Sequence, residues 1–435
     1  MTTSQSIIEK QRKHLWPNHI LYYGDEPLPL AKGEGMYVWD SDGNKFLDFF
    51  AGILTTSVGH NNPVVNKYMK DQIDQLVHTS TLYPNEAHVN LAESLAEITP
   101  EGLDTFYFGA SGTDADETAV IMAQVYTGNT EVIALRHGYS GKSQMAMSMT
   151  GQGSWRMGPV HIGYIRHAMT PYTYRSLGDI PADKYAQACL DDLQDVIDTM
   201  TSGKIAAIIM EPIQGVGGFI TLPPAYLEGA AEIVRAHGGL VIIDEVQTGF
   251  GRTGEHWWGH QHANMTPDIM TMAKGIANGM PLSAVATTPE IAQAAVGKGL
   301  TLSTFGGNPV SCAASMGTLE EMKREFGPGR SGEMGAVLKT GLDKLYAKYP
   351  IIGEVRGRGL MQGIELVTDR ESKEPAAVLA NAVLVETRKV GLLIGKGGMY
   401  GNALRIAPPL IANEQHIEEA LEKLDYAFSQ VMELV

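Results

Sequence analysis

Short apolar runs alternate with amphipathic segments through the middle of the chain, between about residues 85 and 310. The apolar runs have the length of strands, and the segments between them have the periodicity of helices. This alternation predicts an α/β fold with a mostly parallel sheet covered by helices on both faces. The predicted strands are FYFGA, EVIALR, IAAIIME, LVIIDE and IMTMA.

Two further patterns divide the chain. The stretch GMYVWDSDGNKFLDF alternates apolar and polar residues around Asp42 and Gly43, which predicts a β-hairpin. The turn-rich passage FGPGRSG, at 326–332, predicts a boundary before a C-terminal region of helices and short strands. We therefore expect an N-terminal arm and hairpin at 1–60, a large domain at 61–325 and a small domain at 326–435.

A carboxylate and an amine stand at the ends of two apolar runs. Asp244 ends LVIID, and Lys274 follows IMTMA. In a parallel sheet such strand ends meet at the ligand-binding edge. Most lysines are solvated surface residues, but a lysine in apolar surroundings loses its proton more easily, and its neutral amine attacks carbonyl groups. A buried aspartate keeps a pyridine nitrogen protonated, so the two residues together suggest pyridoxal phosphate (PLP) as cofactor.

Composition narrows the function classes. The chain has 435 residues, is 44% hydrophobic and carries a formal net charge of −16. It has no concentrated lysine and arginine, so neither nucleic acid nor a membrane is an expected partner. The thirteen histidines show no metal-ligand spacing, and no metal site is predicted. Two distant cysteines and an N-terminal segment without a signal-peptide pattern predict a reducing compartment, the cytoplasm.

From about residue 35 to the C-terminus, the chain resembles the class III aminotransferases, which are PLP enzymes of fold type I. The stretches IIGEVRGRGLMQGIELV and LLIGKGGMYGNALRIAPPL are most similar to the branch that contains the mitochondrial alanine-glyoxylate aminotransferases. The resemblance implies a smaller α+β domain formed by the C-terminal part and the N-terminal segment. It also implies a homodimer, or a dimer of dimers, with active sites at the subunit interface.

The resemblance assigns a phosphate site to the turn Ser111-Gly112-Thr113, which leads from a strand into a helix. Small residues at a helix start let backbone N–H groups approach an anion, although most such turns only cap the helix. The family usually continues with Glu-Ala-Asn-Glu, whereas this chain has DADE at 114–117. The two aspartates would add repulsion if they faced the phosphate. Thr304 corresponds to a hydroxyl that relatives donate to the phosphate of the neighbouring subunit.

The resemblance also assigns contacts to the cofactor ring. In LRHGYSGKS, Tyr139 aligns with an aromatic residue that stacks on the ring. An alternative register takes His137 and Gly138 as the motif and leaves Arg136 at the stacking position. In DEVQTG, Asp244 would pair with the ring nitrogen, Val246 would pack on the opposite ring face, and Gln247 would bond the phenolic oxygen.

Substrate selection depends on a further set of residues in this resemblance. Arg405 matches the family arginine that binds a substrate carboxylate, a contact suited to a planar fork; its alternative role is a surface ion pair. Relatives that act on ω-amines pair this arginine with a glutamate, where this chain has Val216. Ile53 and Lys142 are candidate substrate contacts, although Lys142 can equally be solvated, and Tyr22 or Tyr23 is a candidate pocket wall.

These residues predict a transaminase that moves the amino group of a small amino acid such as L-alanine to a small 2-oxo acid such as glyoxylate or pyruvate. Lys274 would act as the general base, with Asp244 as the second catalytic residue. The alternatives are an ω- or β-amino acid:pyruvate transaminase of the 4-aminobutyrate type and a 2,2-dialkylglycine decarboxylase. The decarboxylase has glutamine and methionine where this chain has Ile53 and Lys142. A non-catalytic scaffold would have lost Lys274 or Asp244.

Overall fold

The computed structural model of the protein describes residues 3–24, 26–178 and 180–433. Strands in this part of the chain are β1 (Leu30–Glu34), β2 (Tyr37–Asp40), β3 (Lys45–Asp48), β4 (Thr105–Gly109), β5 (Val132–Leu135), β6 (Ile165–Ala168), β7 (Ala207–Met210), β8 (Ile213–Gln214), β9 (Ile220–Thr221), β10 (Leu240–Asp244), β11 (Ile269–Met272), β12 (Ser283–Thr287), β13 (Ile352–Arg358), β14 (Met361–Leu366), β15 (Leu392–Leu393), β16 (Gly395–Gly397) and β17 (Ala403–Ile406). The α-helices are α1 (Ser4–His14), α2 (Ala51–Leu54), α3 (Pro63–Ile73), α4 (Glu86–Ala96), α5 (Gly112–Thr127), α6 (Gln144–Met149), α7 (Ala182–Met200), α8 (Pro224–Ala236), α9 (Pro289–Gln293), α10 (Pro309–Glu321), α11 (Arg330–Lys348), α12 (Ala377–Lys389) and α13 (Glu414–Met432). Short 3₁₀ turns cover Gly153–Trp155, Thr173–Arg175, Gly259–His262 and Lys274–Ala277, and a π-helical turn covers Met322–Phe326.

A seven-stranded sheet in the order β4-β12-β11-β10-β7-β5-β6 forms the centre of the molecule. The pairs from β11 to β6 are parallel, and β12 is antiparallel to both of its neighbours. The five strands predicted from the apolar runs are β4, β5, β7, β10 and β11, so the mostly parallel sheet is confirmed. Sequence reasoning did not predict β6 and β12.

Helices cover both faces of this sheet. Val241 and Ile243 of β10 pack in a buried cluster with α7 and α8. Ile242 packs in a second cluster with α5 on the other face. Successive side chains of a strand point to opposite faces, so a strand covered on both sides is apolar throughout. Within the described ranges, no helix combines the length and the apolar character that crossing a membrane requires.

The predicted N-terminal hairpin is present as β2 and β3, which pair antiparallel. The Asp40 carboxylate closes the turn by accepting the N–H groups of Asp42 at 3.0 Å and Asn44 at 2.8 Å. Gly43 has φ of 91°, a conformation that favours glycine. On its other side β3 pairs parallel with β15 near the C-terminus, so the N-terminal segment and the C-terminal part share one sheet.

The C-terminal part contains a second sheet in the order β13-β14-β17-β16. The turn before it is shorter than predicted, because residues 330–332 already belong to α11. The largest buried cluster combines Leu47, Ile276 and Leu424, one from each predicted domain. The domain boundaries at residues 60 and 325 therefore stay predictions.

Candidate active site

The carboxyl ends of several strands of the large sheet meet at a cavity of about 310 Å³. Asp244 ends β10, Lys274 follows β11, and Glu211 follows β7; all three line the cavity. Sequence reasoning identified the first two. Glu211 was missed, although it follows the apolar run IAAIIM just as Asp244 follows LVII. The same rule about strand ends would have found it.

Lys274 lies at the first position of a 3₁₀ turn and has a left-handed φ of 44°. It directly follows the buried strand β11 and its flanking residue Ala273. Burial lowers the pKa of the Lys274 amine, while the negative charges of Asp244 and Glu211 act in the opposite direction. A lowered pKa increases the fraction of neutral, nucleophilic amine. The predicted apolar setting of Lys274 is thus present, with acidic neighbours.

Asp244 is buried and accepts the N–H of Val246 at 2.8 Å. Burial raises the pKa of its carboxyl to about 6, although the Val246 N–H and the Lys274 amine lower it. Glu211 accepts the N–H groups of Tyr139 at 2.9 Å and Gly215 at 2.8 Å. Burial, and next the charge on Asp244, raise the pKa of Glu211 to about 8. Two buried carboxyl groups, Asp244 and Glu211, therefore face the amine of Lys274, and it cannot form a full ion pair with both.

The side chains of the two aspartates that follow the phosphate turn point in different directions. Asp114 accepts the N–H of Ala110 at 3.1 Å and so holds the turn itself. Asp116 lies on the buried side of α5, accepts the hydroxyl of Thr271 at 2.7 Å, and is hydrogen-bonded to Asp244. Asp116 is therefore a neighbour of the strand-end carboxylate, a role that sequence reasoning missed.

The predicted phosphate turn lines the cavity at the start of α5. Ser111 caps this helix by accepting the N–H of Asp114 at 3.3 Å, so the turn has the predicted capping role, and its phosphate contact stays a prediction. The first-turn N–H groups of a helix have no intrahelical acceptor and favour an anion. Gly141 approaches Thr113 so closely that a Cβ at this glycine would overlap the Thr113 hydroxyl. The geometry is that of an anion cradle of closely packed backbone.

The structure distinguishes the two predicted registers of the aromatic motif. Tyr139 lines the cavity, and the edge of its ring contacts Trp155 with centroids 5.4 Å apart. Arg136 lies at the surface, where its guanidinium is 3.9 Å from the Asp192 carboxylate. His137 is directed against the Tyr172 ring, and burial lowers its pKa to about 4. Tyr139 is therefore the aromatic residue of the site.

Val246 and Gln247 line the cavity beside Asp244. The buried Gln247 Oε1 has no hydrogen-bond partner among the described residues. A buried polar atom without a partner is costly unless a ligand satisfies its group. Because an amide can present either its oxygen or its nitrogen, Gln247 suits a phenolic oxygen in the cavity.

Arg405 is buried, with 3% of its surface exposed, which excludes the surface ion pair. Its guanidinium donates to the carbonyl of Lys396 at 2.8 Å and to that of Gly215 at 3.4 Å. Among the described residues no carboxylate forms an ion pair with it. Tyr22 accepts the N–H of Lys396 at 2.9 Å and so packs beside the same strand, β16.

Three other predicted residues lie outside the cavity of their own chain. Ile53 is 46% exposed and has a left-handed φ of 69°. Lys142 and Thr304 are also exposed. Their assigned contacts stay predictions, and the one for Thr304 requires a second subunit.

A separate group of side chains contains potential metal ligands. Ligand atoms of Glu255, His256 and His262 lie within 4.8 Å of one another. Burial, and next the positive charge of Arg358, lower the pKa of His262, so the same guanidinium also repels a cation. These three residues do not have the spacing of a known metal-binding motif, so the sequence did not reveal the group. The predicted absence of a metal site stays a prediction.

The side chains around the main cavity fit PLP. Asp244 offers a carboxylate for a pyridine nitrogen, and Lys274 offers an amine for an aldehyde. The start of α5 offers backbone N–H groups for a phosphate, and the Gln247 amide, whose oxygen has no partner among the described residues, matches a phenolic oxygen.

Comparison with known proteins agrees with this geometry. The family described as aminotransferase class-III matches residues 22–428. The chain is 42% identical to alanine–glyoxylate aminotransferase 2 homolog 2, mitochondrial, of Arabidopsis thaliana, over 98% of this chain and 87% of that protein. It is 37% identical to alanine–glyoxylate aminotransferase 2, mitochondrial, of Homo sapiens, with the same coverage of both chains.

A solved structure agrees as well. An amine transaminase from an uncultivated Pseudomonas species, in a PLP-bound form, superposes with a TM-score of 0.88 and 32% identity. The alignment covers 96% of this chain and 98% of that one. The fold is therefore that of the PLP-dependent aminotransferases, as predicted. From its sequence, its fold and the side chains at the sheet edge, the protein belongs to the class III aminotransferases and is a PLP-dependent transaminase.

Proposed function

We propose that this transaminase moves the amino group of L-alanine, or a similarly small amino acid, to a small 2-oxo acid such as glyoxylate or pyruvate. The observation that carries the proposal is the state of Arg405, a buried guanidinium that donates to the backbone carbonyls of Lys396 and Gly215. The backbone carbonyl of Val216 lies near it: a Cβ at Gly397 would be 2.9 Å from the Val216 carbonyl and 3.0 Å from Arg405 Nε. A guanidinium without an acidic partner is suited to a substrate carboxylate.

Different residues of the chain hold different parts of the cofactor. Asp244 pairs with the ring nitrogen and keeps it protonated. Tyr139 and Val246 would pack against the ring, and Gln247 would bond its phenolic oxygen. The turn 111–113 binds the phosphate with backbone N–H groups. PLP supplies an electron sink that makes the α-proton of the substrate acidic.

Lys274 is the group that moves protons. Its amine, whose pKa burial lowers, would take the proton from the substrate α-carbon and deliver it to the cofactor carbon that carries the substrate nitrogen. Arg405 holds the substrate carboxylate so that the α-proton faces this amine. The Asp244 carboxylate is the first of the acidic groups that offset the charge that Lys274 gains.

Two alternatives differ from this proposal in the substrate. Similarity to an amine transaminase favours an ω- or β-amino donor, or an amine without a carboxylate, as the second candidate. The residue differences at Ile53 and Lys142 place a dialkylglycine decarboxylase behind it. Release of carbon dioxide from 2-aminoisobutyrate would identify that third activity.

The first test uses the absorption of the bound cofactor in single half-reactions. We expect L-alanine to bleach the visible band of the holoenzyme and glyoxylate or pyruvate to restore it. β-Alanine, 4-aminobutyrate and 1-phenylethylamine serve as comparison donors. A band that responds to these donors and not to L-alanine contradicts the proposed substrate and leaves the transaminase assignment intact.

The second test concerns the carboxylate contact. Arg405→Gln removes a charge-assisted contact and should raise the KM for L-alanine about 10- to 100-fold. The same variant should change the KM for 1-phenylethylamine much less, because that donor has no carboxylate. The new carboxylate in Val216→Glu should pair with Arg405. This variant should therefore bind L-alanine more weakly and favour 4-aminobutyrate as donor. Equal effects on both donors would show that Arg405 does not select carboxylates.

We also propose that two copies of the chain form each active site. Thr304 is exposed beside a patch of large apolar side chains that a monomer would leave in water, which favours a second copy as its cover. The patch comprises Val77, Leu82, Tyr83, Leu302 and Phe305. Each dimer that combines a Lys274→Ala chain with a Thr304→Ala chain has one site in which both residues are intact. Mixing the two variants should therefore restore wild-type PLP affinity in those sites. A monomeric protein in light scattering would contradict the proposal, and a tetramer would extend it.

The location in the cytoplasm stays a proposal. It is supported by the two cysteines, Cys189 and Cys312, which are buried and form no disulfide. Cell fractionation with an antibody against the native chain tests it, and recovery in an oxidising compartment would contradict it.

A further inference from the structure

Two buried carboxyl groups lie in contact beneath the cavity. Asp116, on α5, is 1% exposed, and Asp244, at the end of β10, is 5% exposed. Both groups line the cavity, and Asp116 accepts the hydroxyl of Thr271, the β11 residue that pairs with Asp244, at 2.7 Å. This places the two carboxyl groups side by side, close enough for a hydrogen bond between them. A hydrogen bond between two carboxyl groups requires a proton, because two carboxylates offer only acceptors.

The surroundings decide which of the two groups holds this proton. Asp244 accepts the N–H of Val246 at 2.8 Å and lies in the field of the Lys274 amine, and both favour its ionised form. Among the described residues, the hydrogen bond that Asp116 accepts comes from the neutral hydroxyl of Thr271, at 2.7 Å. Two contacting acids in such unequal settings separate into one acid and one carboxylate. The proton therefore belongs on Asp116.

We propose that Asp116 is a positioning residue, which remains protonated and donates its carboxyl hydrogen to Asp244. This bond occupies one lone pair of Asp244, keeps that carboxylate ionised and orients it toward the cavity. The inference rests on the proposed pairing of Asp244 with the cofactor ring nitrogen. It does not depend on which amino acid is the substrate.

The other groups that face Asp116 are consistent with its protonation. They are Asp244, Glu211 after β7, Lys274 after β11 and Tyr139 after β5. Burial first, and then the charge on Asp244, raise the pKa of Asp116 well above its ordinary value. The Lys274 amine interacts more strongly with Asp244 than with Asp116. On α5 itself, Glu117 is occupied by the hydroxyl of Ser143 at 2.6 Å.

The proposal predicts a specific pH behaviour. At alkaline pH the proton leaves the pair, and a second negative charge then lies against Asp244. Asp116→Asn keeps an N–H donor at the same place but cannot ionise. The wild-type enzyme should therefore lose activity at alkaline pH along a limb that this variant lacks, while the two should be similar at neutral pH. If Asp116 had only a packing role, Asp116→Asn would have the same pH profile of activity as the wild-type enzyme.

Infrared spectroscopy of the holoenzyme tests the protonation without substrate. A protonated carboxylic acid has a carbonyl-stretch band that shifts in D₂O and that a carboxylate lacks. Asp116→Asn should remove one such band at neutral pH. Glu211→Gln identifies the contribution of Glu211, and the exposed Asp104→Asn serves as the control without effect. If Asp116→Asn leaves every carboxylic-acid band unchanged, the proposal is wrong.

Kinetics test the positioning role separately. Asp116→Ala removes the donor, so kcat should fall about tenfold at neutral pH with little change in KM, and Asp116→Asn should restore it. Equal kcat values and equal pH profiles for the two variants would overturn the proposal. A protein that shows the infrared band but no transamination would instead refute the proposed substrates, so the two failures are distinguishable.

Discussion

Two buried clusters of charged side chains lie in different parts of this protein and have opposite composition. In the C-terminal part, Glu365 accepts hydrogen bonds from Arg356 at 2.7 Å, Arg175 at 2.8 Å, Tyr172 at 2.6 Å and Asn402 at 2.9 Å. At the cavity, three carboxyl groups share the nearby amine of Lys274. These carboxyl groups belong to Asp116, Glu211 and Asp244.

The pKa values of the two clusters move in opposite directions. Burial opposes ionisation in both. At Glu365, the charge of Arg356 and the hydrogen bonds from Tyr172 and Arg175 outweigh burial and lower the pKa to about 2. At Glu211, burial prevails and raises the pKa to about 8. A buried ion pair with all its partners supports the native fold, whereas an acid-rich cluster stores protons that a catalytic site can use.

The largest effect should come from the only lysine that lines the cavity within the described part of the chain. Lys274→Ala removes the proposed base and should lower kcat for transamination by about 10³-fold or more. The exposed Lys298→Ala is the control and should retain wild-type activity. Steady-state assays with L-alanine and glyoxylate measure both. Substantial activity in Lys274→Ala would refute its role.

In the paired cluster the large effect should be on stability. Arg356→Met leaves Glu365 buried with one partner fewer and should lower the free energy of unfolding by about 3–5 kcal/mol. Asp116→Asn, in the acid-rich cluster, should leave stability unchanged or raise it, because Asn is neutral without the proton uptake that the raised pKa of Asp116 requires on folding. Urea unfolding at neutral pH compares the two. Similar destabilisation by both would remove the distinction between the clusters.

The two clusters should also impose opposite pH slopes on stability. The folded state lowers the Glu365 pKa from 4.5 to about 2, so its contribution is full above pH 4.5 and is lost as the pH falls through about 2. The folded state raises the Glu211 pKa from 4.5 to about 8, so its contribution is full below pH 4.5 and is lost as the pH rises through about 8. Urea midpoints over this range should show that Glu365→Gln flattens the acid slope and Glu211→Gln the alkaline slope. If either variant leaves its slope of stability against pH unchanged, that slope comes from other titrating groups.

The smallest effect should come from an exposed ion pair. Lys339 lies 2.5 Å from Asp343 one helical turn later, with 37% and 51% of the two side chains exposed. Solvent screens such a pair, so Lys339→Ala should change the free energy of unfolding by about 0.5 kcal/mol or less. The same urea assay measures it. A loss comparable with that of Arg356→Met would show that burial is not what separates the clusters.

Much of the site follows from local patterns in the sequence. The runs that end in Asp244 and Lys274 are buried parallel strands, and their carboxyl ends meet at the cavity. The hairpin at Asp42 and Gly43 is present, because its turn chemistry is contained in a few residues. The family motif led to Tyr139, which lines the cavity, whereas Ile53 and Lys142 lie outside it. The assigned contacts of all three residues are still predictions.

The sequence by itself determined the mostly parallel sheet, the acid and amine at its edge, and the cofactor class, because strand periodicity and strand-end chemistry act over short distances. Only the tertiary structure decided that Asp116 turns away from the phosphate turn and bonds Asp244. It alone brought the backbone carbonyl of Val216 near Arg405 and joined β15 to the N-terminal hairpin. Those contacts depend on how distant segments pack, and no local pattern carries that information.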